Sequence, residues 1–339
     1  MKALAKTSSR EGLELVETET PRPGPGEVLI KVAAASICGT DLHIYSWDEW
    51  SRSRISLPRI VGHEFCGHVE EVGAGVEGFS SGDYVSAETH IYCGRCYMCR
   101  TGRAHLCENV SIIGIDRDGA FAEYIVVPAK VLWKNDPALP EKIAPLQEPF
   151  GNAVHAVKRA EVGGKRVVII GDGPIGIFAC AIARVLGARD VWLVGLSETR
   201  LAAGRRLGAD AVVNASSRDP VAAIREWTGG KGADVVLEMS GSPAAWDNAL
   251  RAVRPGGRVI AFGLSRDKIP WDLNRVVFKE IEVLGIVGRL IFETWYEASE
   301  LLADLDLSPA VTDELPLEEF EIGFEKLFRR EAVKVVLYP

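Results

Sequence analysis

Nowhere does this 339-residue chain approach the ~20 uninterrupted apolar residues of a membrane-crossing helix, so a transmembrane helix is excluded. Its first ten residues, Met1 to Arg10, are polar and lack the apolar core of a secretory signal, and a cytoplasmic protein is expected. Basic residues are too few to balance the acidic ones, 39 against 47, which leaves a net charge of -8. Such a surface repels polyanions, and no nucleic-acid partner is expected. Internal repeats and low-complexity segments are lacking as well. Cysteine is sparse and odd in number: there are seven, four of them between positions 93 and 107. In a reducing compartment that crowding points to metal binding rather than to disulfides.

The rest of the composition is that of an ordinary globular protein, 47% hydrophobic and 25% charged, and the length predicts about two domains. Residues 1–148 read as a β-rich domain: short apolar runs at 28–33, 66–72, 84–87 and 124–127 alternate with Gly/Pro turns. From 149 the texture changes. Strand-like runs at 167–170, 191–194, 211–213, 234–238, 258–262 and 281–284 alternate with helical patterns at 177–186, 198–207, 220–227 and 243–252. That alternation predicts an α/β doubly wound parallel sheet over 149–292. The tail reads as helical at 292–302 and 317–328 and as a strand at 333–337. We expect the last strand to return to the first domain, making 1–148 and 293–339 one discontinuous catalytic unit.

Gly171-x-Gly173-x-x-Gly176 follows a predicted strand and opens a predicted helix. In that context three glycines allow a tight turn, close approach of a pyrophosphate and close helix–strand packing, with Pro174 and Ile175 in the helix N-terminus that meets the phosphates. Asp172, an acid inside the loop, is expected to point to solvent or to weaken binding. The second strand ends at Gly195, where an NAD site usually carries an acid for the adenosine ribose; Asp190 stands at its start, on the wrong side. Ser197 and Arg200 could contact a 2′-phosphate, so NAD and NADP both stay open, with Glu198 beside them.

Two sets of potential metal ligands stand out. Cys93-x2-Cys96-x2-Cys99-x7-Cys107, in a lobe spanning about 88–110, supplies four thiolates, the donor set of a structural zinc. Cys38 in Cys38-Gly-Thr-Asp-Leu-His43, with His63 and Glu64, could supply a catalytic zinc that keeps one position open for a substrate oxygen. Cys66 and Cys180 are expected to serve packing.

These residues, with Trp47-Asp-Glu-Trp50, Glu148-Pro-Phe-Gly-Asn-Ala-Val-His155, Phe292-Glu-Thr-Trp-Tyr296 and Asp306-Leu-Ser-Pro309, give a chain that resembles the zinc-dependent medium-chain dehydrogenase/reductase family over essentially its whole length. The resemblance implies a GroES-like catalytic domain beside a Rossmann domain, two zinc ions per chain and a homotetramer, its nucleotide domains pairing through an exposed strand at 281–285. It implies oxidation of an amino-alcohol, the β-hydroxyl of L-threonine, to 2-amino-3-oxobutanoate, with hydride passing to NAD or NADP. Cys38, His63 and Glu64 would hold the catalytic zinc, with Glu148 beside it as an additional or exchangeable ligand. Thr40 and His43 would carry the proton to solvent, and His90 would line the substrate pocket. Cofactor contacts would come from Ile175, Arg200, Phe262, Gly263, Leu264, Ile286 and Val287, joined to the glycine loop. A polyol or 2,3-diol dehydrogenase is the alternative within the family, and a non-catalytic nucleotide-binding protein the alternative outside it.

Overall fold

The strand Glu27–Ser36 organises the first compact unit, which comprises Met1–Glu148, Ile291–Trp295 and Val311–Pro339. The computed structural model describes residues 1–265 and 268–339. Seven of ten residues in Glu27–Ser36 are buried, since neighbours cover both faces. It pairs antiparallel with Glu64–Val72, with Tyr124–Pro128 and with the C-terminal strand Lys334–Tyr338. Beyond these lie Tyr84–Ala87, Leu132–Lys134 and Val311–Pro316, giving a seven-stranded sheet. Val28, Ile30, Phe65, Val85, Phe121, Phe324 and Val335 form its core. A smaller sheet joins Lys2–Lys6, Glu14–Glu17 and Arg59–Ile60.

The second unit, Pro149–Leu290 with Tyr296–Ala310, is built on six parallel strands. Their order is Ala211–Asn214, Asp190–Gly195, Arg166–Ile170, Ala233–Glu238, Val253–Ala261, Glu282–Gly285. Val167, Val168 and Ile169 are fully buried, as expected of a parallel strand covered on both faces. Proline occupies the first turn of the crossover helices Pro174–Val185, Pro220–Trp227 and Pro243–Ala252, where its missing N–H costs nothing. Ser197, Asp219 and Ser242 cap helices with side-chain oxygens. The chain crosses from Arg166–Ile170 outward in both directions, which puts the reversal of strand order directly beside the glycine loop.

The tail divides differently from the expectation that 293–339 lies wholly with the first unit, because Tyr296–Ala310 belongs to the second. Glu297, in the helix Glu293–Asp304, pairs with Lys158, and the turn Ser308–Ala310 packs on the helix Glu198–Arg206. Trp295 stays with the first unit, its indole N–H bonded to Glu88. Val253–Ala261 also begins earlier than the strand expected at 258–262.

Candidate active site

The antiparallel pairing of Glu27–Ser36 with Glu64–Val72 sets Ser36 opposite Glu64. It thereby brings the residues just past one strand, ending in Cys38, against those just before the other, His63 and Glu64. Gly62 makes the approach possible: its φ is +90°, and a Cβ there would lie 2.3 Å from the ring of Phe121. Cys38 caps the helix Gly39–Ser46, and the Asp41 carboxylate accepts its backbone N–H at 2.9 Å. Donor atoms of Cys38, His63 and Glu64 then all lie within 4.8 Å of one another.

The electrostatics of this triad call for a cation. Burial disfavours a charged His63 ring, yet the sulfur of Cys38 and the carboxylate of Asp41 outweigh it and push the imidazole up to about 10. His63 Nδ1 and Asp41 Oδ1 are both buried without a hydrogen bond and stand 3.8 Å apart. Nδ1 thus faces the carboxylate, as in a metal-binding histidine oriented by a neighbouring acid. Burial pushes Asp41 up to about 6, partly offset by His63. The fully buried Glu64 accepts hydrogen bonds on Oε2 from Ser36 and from the Lys334 ammonium, while Oε1 is buried with no hydrogen-bond partner. A thiol, an imidazole and an oxygen so placed fit zinc with a remaining open position.

Thr40 and His43 lie three residues apart on the same helix, so they share a face. Thr40 Oγ1 is 3.8 Å from the Cys38 sulfur. His43 Nδ1 is 2.5 Å from Asp48 Oδ2, which places the ring proton on Nδ1 and makes Nε2 the acceptor. Asp48 also caps the helix Glu49–Arg54 by accepting the Ser51 N–H at 3.0 Å. Glu148 stands outside the donor triad; its buried carboxylate accepts the Thr89 hydroxyl at 3.2 Å. His90 is held by Glu88, which sequence reasoning did not single out. Glu88 accepts the His90 backbone N–H at 2.8 Å, faces its Nδ1 at 3.2 Å, and accepts the Trp295 indole N–H at 3.0 Å.

In the cysteine lobe, Cys93 and Cys99 sulfurs are 4.0 Å apart, and those of Cys96 and Cys107 3.9 Å. A tetrahedron of sulfurs each ~2.3 Å from zinc has edges of about 3.8 Å, so the spacing fits such an ion. None of the cysteines is in a disulfide. Backbone N–H groups of Arg95 and Cys96 hold the Cys93 thiol down to about 6, whereas burial and the neighbouring Cys96 push Cys99 up. Four sulfurs this close resist becoming anionic together unless a cation sits among them. Cys66 and Cys180 are both fully buried, as packing residues are.

The expected cofactor residues gather along one edge of the parallel sheet. The loop 171–176 follows Arg166–Ile170, and Gly195, Ser197 and Arg200 end or follow Asp190–Gly195. Phe262, Gly263 and Leu264 follow Val253–Ala261; Ile286 and Val287 follow Glu282–Gly285. A Cβ on Gly176 would lie 2.0 Å from the carbonyl oxygen of Gly171, whereas one on Gly173 would meet nothing within 4 Å. That is the combination of tight packing and open approach that a dinucleotide cradle requires. Asp172 corrects the expectation: it is buried, and its Oδ2 accepts the N–H groups of Leu196 and Ser197 at 2.7 and 2.8 Å. Two positively polarised N–H groups draw it inward rather than out to solvent.

Comparison with known proteins matches residues 24–140 to the alcohol dehydrogenase GroES-like domain and 174–304 to the zinc-binding dehydrogenase domain. The chain is 49% identical to an L-threonine 3-dehydrogenase of Pyrococcus abyssi, over 99% of this chain and 98% of that one. It is 46% identical to one of Bacillus subtilis, over 100% and 99%. Among solved structures, 2R,3R-butanediol dehydrogenase of Bacillus subtilis superposes with a TM-score of 0.90 at 30% identity. A zinc-binding dehydrogenase of Sinorhizobium meliloti 1021 bound to NADP gives 0.91 at 30%. Each of these two covers 100% of this chain and 99% of the other. Among the described residues no helix is long and apolar enough to cross a membrane.

Proposed function

We propose, from the premise that this chain belongs to the zinc-binding dehydrogenases of the alcohol dehydrogenase type, that it oxidises the β-hydroxyl of L-threonine to 2-amino-3-oxobutanoate. The observation that carries the chemistry is the convergence of Cys38, His63 and Glu64. Zinc bound there would lower the pKa of the substrate hydroxyl, and a nicotinamide cofactor would accept the hydride leaving the carbinol carbon. Thr40 and His43 would together carry the proton from that hydroxyl toward solvent, His43 through an Nε2 that can accept because Asp48 holds Nδ1–H. His43 is partly exposed, so the proton ends in water. Glu148 and His90 recognise the amino-acid part of the substrate, a buried carboxylate suiting its ammonium. Cys93, Cys96, Cys99 and Cys107 would hold a second, structural zinc.

The runner-up substrate is a 2,3-diol, favoured by the likeness to a butanediol dehydrogenase. Assaying L-threonine, 2,3-butanediol and sorbitol, each with NAD and NADP, separates the two: higher kcat/KM on either neutral alcohol overturns the amino-acid reading. We place the enzyme in the reducing cytoplasm, where seven unbridged cysteines persist. We further assign it a homotetrameric state, since Glu282–Gly285 lies at a sheet edge where a second copy could add its own strand. Light scattering that gives a monomer would overturn that assignment.

A further inference from the structure

We infer that Asp172 takes over the part of the acid missing from position 195 and makes the nucleotide site selective for NAD over NADP. The inference rests on the reading of loop 171–176 as a dinucleotide cradle. At Gly195, the end of the second strand, a Cβ would lie 2.4 Å from Asp172 Cβ and 2.5 Å from its Cγ and Oδ2. The volume in which a strand-end acid would start is therefore filled by the Asp172 side chain. The glycine at 195 is the complement of the acid at 172, rather than a vacancy made for a larger anion. Gly171, with φ of +125°, turns the chain so that the next side chain reaches back over the neighbouring strand.

The hydrogen bonds give this carboxylate two effects. Its Oδ2 accepts the N–H groups of Leu196 and Ser197, at the entry to the helix Glu198–Arg206. Paired backbone donors at a helix start are what a 2′-phosphate would seek, and here a fixed negative charge already holds them. Oδ1 makes no hydrogen bond within the described protein and is the atom offered to a ribose hydroxyl. A hydroxyl donates to a carboxylate; a phosphate dianion in its place meets like charge across a short gap. The side chains beside this loop are otherwise engaged. The Ser197 hydroxyl accepts the Arg200 backbone N–H at 3.4 Å, and Glu198 accepts an amide N–H of Asn214 at 2.5 Å.

Titration calorimetry of the zinc-loaded protein with NADH and with NADPH tests this without turnover. The wild type is expected to bind NADH at least about tenfold more tightly than NADPH. D172N keeps the shape and removes the charge; it is expected to shift that ratio about tenfold toward NADPH, mostly by tightening NADPH. The swap D172G/G195D moves the carboxylate to the strand end without the collision and is expected to restore preference for NADH, which guards against D172N failing to fold. Equal or tighter NADPH binding by the wild type, a D172N variant weakened equally toward both nucleotides, or a swap whose NADH-to-NADPH ratio stays at the D172N value overturns the inference. Binding of neither nucleotide by the wild type refutes the dinucleotide reading itself, and the inference with it.

Discussion

Lys334 and Glu64, 270 residues apart in sequence, form a fully buried ion pair, which ties Lys334 to one member of the donor triad. Lys334 also donates to the Ile37 carbonyl oxygen at 3.2 Å, tying the C-terminal strand to the residue before Cys38. Burial works against its charge, yet the Glu64 carboxylate outweighs that and raises its pKa. Removing one partner of such a pair leaves a buried charge uncompensated, at about 3–5 kcal/mol. K334M should therefore lose about that much stability in urea unfolding, and K334R much less. Equal stability of K334M and wild type would contradict the role given to this pair.

The two metal centres should separate cleanly. Wild-type protein should hold two zinc ions per chain by elemental analysis, and C93S and C38S one each, since the donor groups share no residue. C93S should lose thermal stability first, because a structural zinc contributes directly to folding. A C93S protein that retains both ions would show that the four sulfurs are not a zinc site.

Glu88 should matter through His90. E88Q keeps the shape, yet its amide cannot satisfy both the Trp295 indole N–H and the His90 donors. We expect a loss of about 1.5–3 kcal/mol in stability and a raised KM for L-threonine with kcat little changed. In an H90N background the same substitution should leave KM unmoved. Additive effects in the double variant would assign Glu88 a structural role alone.

How much of this was legible in the sequence depended on range. The glycine loop and the cysteine lobe are local, set by spacing within a few residues: the loop does lie between a strand and a helix, and the four sulfurs do cluster. Cys38 and His63 were recognisable from their short signatures, although the strand pairing that joins them is a long-range fact. Lys334 and Glu88 left weaker traces. Lys334 interrupts the apolar run 332–337, and nothing in that pattern names Glu64 as its partner. Asp172 was misjudged because a carboxylate near a phosphate loop looks repulsive until the two N–H groups that bind it come into view. The helix Glu293–Asp304 was expected with the first unit, because its pattern reveals an apolar face but not the core that face joins.

Acid should loosen the nucleotide-binding unit through Asp234. Burial opposes its charge, but the Arg166 N–H and the Arg254 guanidinium outweigh it and hold the carboxyl below its ordinary 3.8. The unfolded chain thus takes up this proton first. The stabilisation is whole above 3.8 and is lost as pH falls from there through the lower folded value. Stability by urea unfolding should decline over that window in wild type, with a shallower slope in D234N; identical slopes would contradict the assignment.

Removing the proton acceptor should leave binding in place. H43A should lower kcat on L-threonine about a hundredfold while zinc content and nucleotide affinity hold. An unchanged kcat would take His43 out of the proton path.

The most direct measurement is kcat/KM for L-threonine in wild type and in C38S, with the cysteine lobe still metal-loaded in both. Activity in wild type that vanishes in C38S, which should keep the lobe's ion, is the predicted result. Threonine oxidation that survives the loss of the Cys38 sulfur would contradict the account.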